Sequence, residues 1–122
     1  MARILVIEDD TRFREMLCRC LEHQGYKVVM ASDGKEGVDL YRREPADLII
    51  TDVNMPEKAG TEVIFELQKD FPDVRIIAIS GGSDHSESYL KDITVLSSVK
   101  HVFTKPLNLD KMFEAVKELL NQ

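Results

Sequence analysis

Five short runs of mostly branched apolar residues punctuate the chain, and between them apolar positions recur at helical spacing. Read as strands, the runs cover 3–7, 27–30, 47–52, 75–79 and 101–104. The first helix carries Phe13, Met16, Leu17, Cys20 and Leu21, and Gly25 supplies its stop. Ser32 or Asp33 caps the second, which carries Val38, Leu40 and Tyr41 before Pro45 ends it. Gly37 inside that helix costs about 1 kcal/mol relative to alanine. A third helix covers 60–70, with Val63, Ile64 and Leu67 inward, and closes at Phe71-Pro72-Asp73. After a polar stretch at 83–88, a fourth helix passes through Tyr89, Leu90, Ile93 and Leu96, opposed by the β-branched Thr94, Val95 and Val99. The last helix is one apolar stripe of Leu109, Met112, Phe113, Val116, Leu119 and Leu120.

Strands that are apolar throughout, separated by amphipathic helices, require a parallel sheet covered on both faces. The expected fold is therefore a three-layer, doubly wound α/β sandwich, one domain over residues 1–122. A switch point beside the first strand brings the ends of strands one, three, four and five side by side. Hydrophobic content of 43% and charged content of 31% are ordinary for a soluble domain. A net charge of −6 argues against binding nucleic acid through its phosphates, and the cluster Glu8-Asp9-Asp10 invites a cation instead. No apolar run approaches a membrane span, and no signal peptide or lipid anchor is expected. Cys18 and Cys20, two apart on a helix, point in different directions and have no zinc-ligand partners nearby. One core thiol and one peripheral thiol fit a reducing cytoplasm.

The chemistry collects at the strand ends: Glu8 and Asp9 after the first, Asp52 at the third, Ser80 at the fourth, Lys105 at the fifth. Proline at 56 cannot continue a ladder, so Asp52 sits where strand gives way to loop. A single acidic residue near a strand end commonly does no more than cap the next helix, as Asp10 can. Carboxylates at two ends, a hydroxyl at a third and a lysine at a fourth ask for more. Three carboxylates in contact repel, so without a cation one of them is expected to titrate upward. All-oxygen ligation favours magnesium or manganese. A carboxylate can take a phosphoryl group as an acyl phosphate, given positive charge on the transferred oxygens and a hydrogen-bond donor. Gly81-Gly82 leaves the backbone accessible there but is by itself only a turn signal. No Walker-type loop or dinucleotide fingerprint occurs.

Four ordered stretches now resemble one family over nearly the whole chain: Ile4-Leu5-Val6-Ile7-Glu8-Asp9-Asp10, Asp52-Val53-Asn54-Met55-Pro56 with Gly60, Ile79-Ser80, and Thr104-Lys105-Pro106. The chain is similar to the receiver domain of bacterial response regulators. The resemblance implies a flavodoxin-like sheet of strand order 2-1-3-4-5. It implies that Asp52 is the phosphoacceptor, taking its phosphoryl group from a sensor histidine kinase or a histidine phosphotransfer protein. Magnesium, or manganese in its place, would be held by Asp9, Asp52 and the main-chain carbonyl of Asn54, with Glu8 reaching it through water. Ser80 would turn its hydroxyl to the phosphoryl group, Lys105 would be its counter-charge, and a cis Lys105-Pro106 bond would fix the lysine's direction.

Three departures stand out. The position three before the lysine, often aromatic in the family, holds Val102, and Phe103 beside it should point to the opposite face. Ser98 stands where a glycine is usual, and the segment between Ser80 and Lys105 is slightly long. The phosphorylation chemistry survives these changes, whereas tyrosine-linked switching does not carry over. His23, His85 and His101, like Tyr26, Tyr41 and Tyr89, have no motif around them and read as surface or packing residues.

The leading expectation is a cytoplasmic phosphorylation switch, monomeric or dimeric on phosphorylation, acting on an output protein that the sequence does not identify. It would label itself from small phosphodonors and dephosphorylate slowly, without being an enzyme otherwise. A receiver cut from a longer regulator is a variant. A magnesium-dependent phosphohydrolase with Asp52 as nucleophile is the enzyme alternative, but Asn54 stands where such enzymes carry an aspartate acid/base. A pseudo-receiver that only docks partners leaves the intact acidic, hydroxyl and lysine positions unexplained.

Overall fold

The computed structural model describes residues 2–53, 60–81 and 97–121, with positions 60 and 61 by backbone alone. Asn54, the Met55-Pro56 pair, Gly82, His85, Tyr89 and the helix expected through Leu96 lie outside the described residues. Along the chain run β1 (Arg3–Ile7), α1 (Thr11–His23), β2 (Lys27–Ala31), α2 (Gly34–Arg43), β3 (Leu48–Asp52), α3 (Gly60–Asp70), β4 (Ile76–Ser80), β5 (Val99–Thr104) and α4 (Leu109–Leu120). The strands form one parallel sheet in the order β2-β1-β3-β4-β5, as expected.

Both faces of the sheet are covered. Leu17, Cys18 and Leu21 of α1 and Met112, Ala115, Val116 and Leu119 of α4 pack on Ile4, Val6, Leu48, Ile50, Ile77 and Ile79. Val38 and Tyr41 of α2 and Val63, Ile64 and Leu67 of α3 pack on Leu5, Ile7, Ile49, Ile76 and Ala78. The period-two alternation of each strand thus feeds two cores. The central strands β3 and β4 are buried at every position, which explains their unbroken apolar sequence.

Several boundaries and one helix face differ from expectation. β3 begins at Leu48, one residue later than expected, and the side chain of Asp47 just before it accepts from Arg3 N at 2.8 Å. Asp33, not Ser32, caps α2, accepting from Glu36 N at 2.8 Å. On α1 the inward thiol is Cys18, whereas Met16 is exposed and its sulfur lies 3.9 Å from that of the half-buried Cys20. The stripe is rotated toward Cys18 because α1 packs through Leu17 and Leu21, and Cys18 lies three residues before Leu21 on that face. Burial pushes the Cys18 thiol up to about 12, which leaves it protonated and inert.

β5 begins at Val99 rather than His101. Ile76 pairs with Val99 but Ile77 pairs with His101, so Lys100 is an extra residue in the ladder. The bulge explains why Val99 and Val102, three apart, pack with the same core while Phe103 packs with the other. Val102 and Phe103 therefore do face opposite layers. Ser98, just before the strand, is buried and non-glycine without strain: no non-glycine residue has positive φ among the described residues.

Gly37 sits where α2 crosses β1. A Cβ there would lie 2.4 Å from Ile7 Cδ1 and 2.7 Å from Ile7 Cγ1. The glycine that weakens the helix locally is what lets it approach the sheet.

Candidate functional site

The connection after β1 leads to α1 on one face, and that after β3 leads to α3 on the other. The two segments diverge at the carboxyl ends of adjacent strands, which opens a crevice at the switch point. Glu8 follows β1 directly, its N–H donating to Ala31 O at 3.0 Å, and Asp52 closes β3. Glu8, Asp9 and Asp52 bring carboxylate oxygens within 4.8 Å of one another, with Glu8 and Asp52 buried and Asp9 exposed.

Lys105 enters from the far side of β4. Its N–H donates to Ser80 O at 2.9 Å, continuing the β4–β5 ladder, and the Lys105-Pro106 peptide is cis, as the resemblance implied. Its ammonium lies 3.2 Å from Asp52 Oδ2 and 3.5 Å from Glu8 Oε2. The opening turn of α1 braces the same corner. Asp10 N donates to Glu8 Oε1 at 3.1 Å, Asp10 caps Phe13 N at 3.0 Å, and Arg14 Nη1 donates to Glu8 O at 2.8 Å. Asp10 thus serves the helix cap rather than the acidic cluster.

Burial pushes the Glu8 carboxyl from 4.5 up to about 8, and the neighbouring charge of Asp52 adds to the rise. One carboxyl does titrate upward, as expected, but burial leads the rise and repulsion from Asp52 comes second. For Lys105, burial works against the charged form, but Asp52 and Glu8 outweigh it and the pKa is raised.

The donor set suits a hard cation: three carboxylates converge, and no histidine or thiol is among them. Glu8 Oε2 and Ser80 Oγ are buried and make no hydrogen bond among the described residues. The Lys105 ammonium lies against the first at 3.5 Å, whereas the Ser80 hydroxyl has its hydrogen-bonding capacity left for a ligand. Ser80 ends β4, paired with Thr104, and so belongs to the same edge. Of the expected site residues, Glu8, Asp9, Asp52 and Lys105 are together, Ser80 stands at the adjoining strand end, and Asn54 lies outside the described residues.

Sequence reasoning read Phe13 only as a helix-stripe residue. In the fold its ring lies under the Lys105 ammonium, 4.3 Å from Nζ to the ring centroid. The available signal was the cap: Asp10 at the start of α1 fixes the residue three later beside the acidic loop.

Fold and pocket together define a class, doubly wound α/β proteins with an acidic, lysine-paired pocket at the switch point. A sequence profile of the response regulator receiver domain matches residues 4–117. The transcriptional regulatory protein GlrR of Escherichia coli (strain K12) is 31% identical over 99% of this chain and 27% of its own length. Response regulator RR06 of Streptococcus pneumoniae serotype 2 is 33% identical over 98% of this chain and 53% of its own. The crystal structure of response regulator protein TrrA from Thermotoga maritima, in complex with Mg(2+)-BeF, superposes with a TM-score of 0.86. The two share 33% identity, covering 98% of this chain and all of TrrA's. The chain belongs to the response regulator receiver domain family, the receivers of two-component signal transduction. It spans about a quarter to a half of the length of these curated relatives. No helix among the described residues is long and apolar enough to cross a membrane.

Proposed function

We propose that this receiver, a single domain over residues 1–122, takes a phosphoryl group onto Asp52 from the phosphohistidine of a sensor kinase or phosphotransfer protein. An Asp52 carboxylate oxygen attacks phosphorus, the P–N bond to the imidazole breaks, and the nitrogen leaves with the electron pair. The observation that carries the reading is the approach of Lys105 Nζ to Asp52 Oδ2 and Glu8 Oε2 beside a third carboxylate. Asp9, Asp52 and the Asn54 main-chain carbonyl would hold magnesium, with manganese as a substitute and Glu8 reaching the ion through water. The bound ion would supply positive charge to the transferred oxygens. Lys105 provides a second positive charge, already held at the acceptor carboxylate, and the orphan Ser80 hydroxyl donates to the phosphoryl group.

Phosphorylation replaces the Asp52 carboxylate charge with about two negative charges spread over the phosphoryl oxygens, and one arrangement of the neighbouring loops binds them best. The consequence is a shift in affinity for an output partner, separate or carried on a longer chain, rather than turnover of a substrate. The domain would be cytoplasmic, monomeric or paired on phosphorylation, and would label itself from small phosphodonors and lose the label slowly by itself. The test is intact mass after incubation with acetyl phosphate and magnesium. One added phosphoryl group is expected, lost in Asp52→Asn. An unchanged mass in the unmutated protein, where a control receiver labels, sinks the proposal. Continuous phosphate release from ordinary phosphomonoesters would instead mark a phosphohydrolase.

A further inference from the structure

We propose that Phe13 is a positioning residue for phosphoryl transfer: its ring holds the Lys105 ammonium against the acceptor carboxylate. This rests on the reading of Asp52 as phosphoacceptor. A lysine head group on four rotatable bonds is poorly fixed by charge alone, because Coulomb attraction has no preferred direction and water competes for it. Here Lys105 Nζ has three partners from three segments: Asp52 Oδ2 at 3.2 Å, Glu8 Oε2 at 3.5 Å and the Phe13 ring centroid at 4.3 Å. The ring face carries the negative end of the aromatic quadrupole, so it attracts the cation while displacing water from it. Unlike the two carboxylates, it is indifferent to phosphorylation and to a bound cation. Its contact therefore does not depend on whether Asp52 is a carboxylate or an acyl phosphate.

The ring is itself well anchored. Phe13 N is capped by Asp10 Oδ1 at 3.0 Å, and the next residue ties its guanidinium to Glu8 O at 2.8 Å. Phe13 is half-buried and packs against the core beneath α1. The ring, the acidic loop and the ammonium thus form one corner whose geometry is set before any phosphodonor arrives, and such preorganisation acts on the transfer rate.

The experiment compares Phe13→Leu, which keeps an apolar side chain without a ring, with Phe13→Tyr, which keeps the ring. Each is followed for its labelling rate with acetyl phosphate and magnesium, and by NMR for the shifts of the Lys105 ε-methylene protons. In the unmutated protein those protons should show an upfield ring-current shift, retained in Phe13→Tyr and lost in Phe13→Leu. Labelling should slow roughly 3- to 10-fold in Phe13→Leu and recover in Phe13→Tyr, matching the increment of an exposed-to-partly-buried cation–π contact. Absence of the shift in the unmutated protein overturns the proposal without any variant. So does unchanged labelling of Phe13→Leu, or equal slowing of both variants, when the unmutated protein labels normally. If the unmutated protein does not label at all, the phosphoacceptor reading itself has failed.

Discussion

Lys105 Nζ stands 3.2 Å from Asp52 Oδ2, so the residue that follows β5 reaches over β4 to a carboxylate that ends β3. A magnesium ion held by Asp9 and Asp52 would add its own positive charge to the carboxylate that the ammonium already pairs. Two cations drawn to one carboxylate cluster repel, so removing one should favour the other. Lys105→Met is expected to bind magnesium about 3- to 10-fold more tightly, a difference of about 1 kcal/mol. Without the ion the variant should be less stable by about 1–2 kcal/mol. That is below the loss typical of fully buried pairs, because the Lys105 side chain keeps 26% of its exposure. Magnesium titrations followed by calorimetry check the first figure and urea melts the second; weaker magnesium binding by the variant would contradict the shared-site geometry.

Glu8 gives the pH dependence its sign. Its folded pKa, about 8, exceeds the ordinary 4.5, so between those values the folded protein keeps a proton that the unfolded chain has released. Proton binding then favours folding. Stability of the metal-free domain should fall as pH rises through that interval and level off above it. Magnesium acts in the opposite sense, because it binds the deprotonated pocket. The gain in Tm on adding magnesium should grow with pH up to about 8, and binding near neutral pH should release protons, seen as a buffer-dependent heat. Glu8→Gln should flatten the falling limb; an unchanged slope in that variant would assign the effect elsewhere.

At the Gly37–Ile7 crossing two principles compete. Alanine in place of glycine improves a helix by about 1 kcal/mol, whereas overpacking a core costs about 1–3 kcal/mol. Ile7 is fully buried and β-branched, so it cannot swing away from a Cβ placed 2.4 Å from its Cδ1. Gly37→Ala should therefore destabilise, by about 1 kcal/mol net. Ile7→Val deletes Cδ1 but keeps Cγ1, 2.7 Å from the added Cβ, so in that background Gly37→Ala should cost less without becoming stabilising. Denaturant melts of the two singles and the double show whether the cost shrinks.

Legibility followed burial. β3 and β4, buried at every position, and α4, with one continuous stripe, were plain from the apolar pattern because a single packing demand wrote it. The strand ends named Glu8, Asp9, Asp52 and Lys105 because carboxylates at two ends and a lysine at a third are more than helix capping asks for. What the pattern hid were features set by two segments at once. The Lys100 bulge depends on the β4 register, the face of α1 on which core it meets, and the partner of Phe13 on a lysine far along the chain. Gly37 was visible only as a weak helix position, since its reason lies in Ile7.

Ser98 is the last of these two-segment features and carries its own prediction. Its N–H donates to Gln68 Oε1 at 3.2 Å, its hydroxyl donates to the same oxygen, and its carbonyl accepts from Ile76 N at 2.9 Å. One buried residue thus joins α3, β4 and the start of β5. Stranding buried donors costs more than the net worth of the bonds they made. Gln68→Leu should accordingly lose about 1–3 kcal/mol, because it leaves both the N–H and the hydroxyl of Ser98 without an acceptor. Ser98→Ala should lose less, about 1 kcal/mol, since the backbone donor keeps its partner. Gln68→Glu, which retains an acceptor at the same reach, should stay closer to the parent than Gln68→Leu. Urea melts rank the three. If Ser98→Ala proved the most damaging, the hydroxyl rather than the shared acceptor would be the fastening, and the tether from α3 would matter little to where β5 begins.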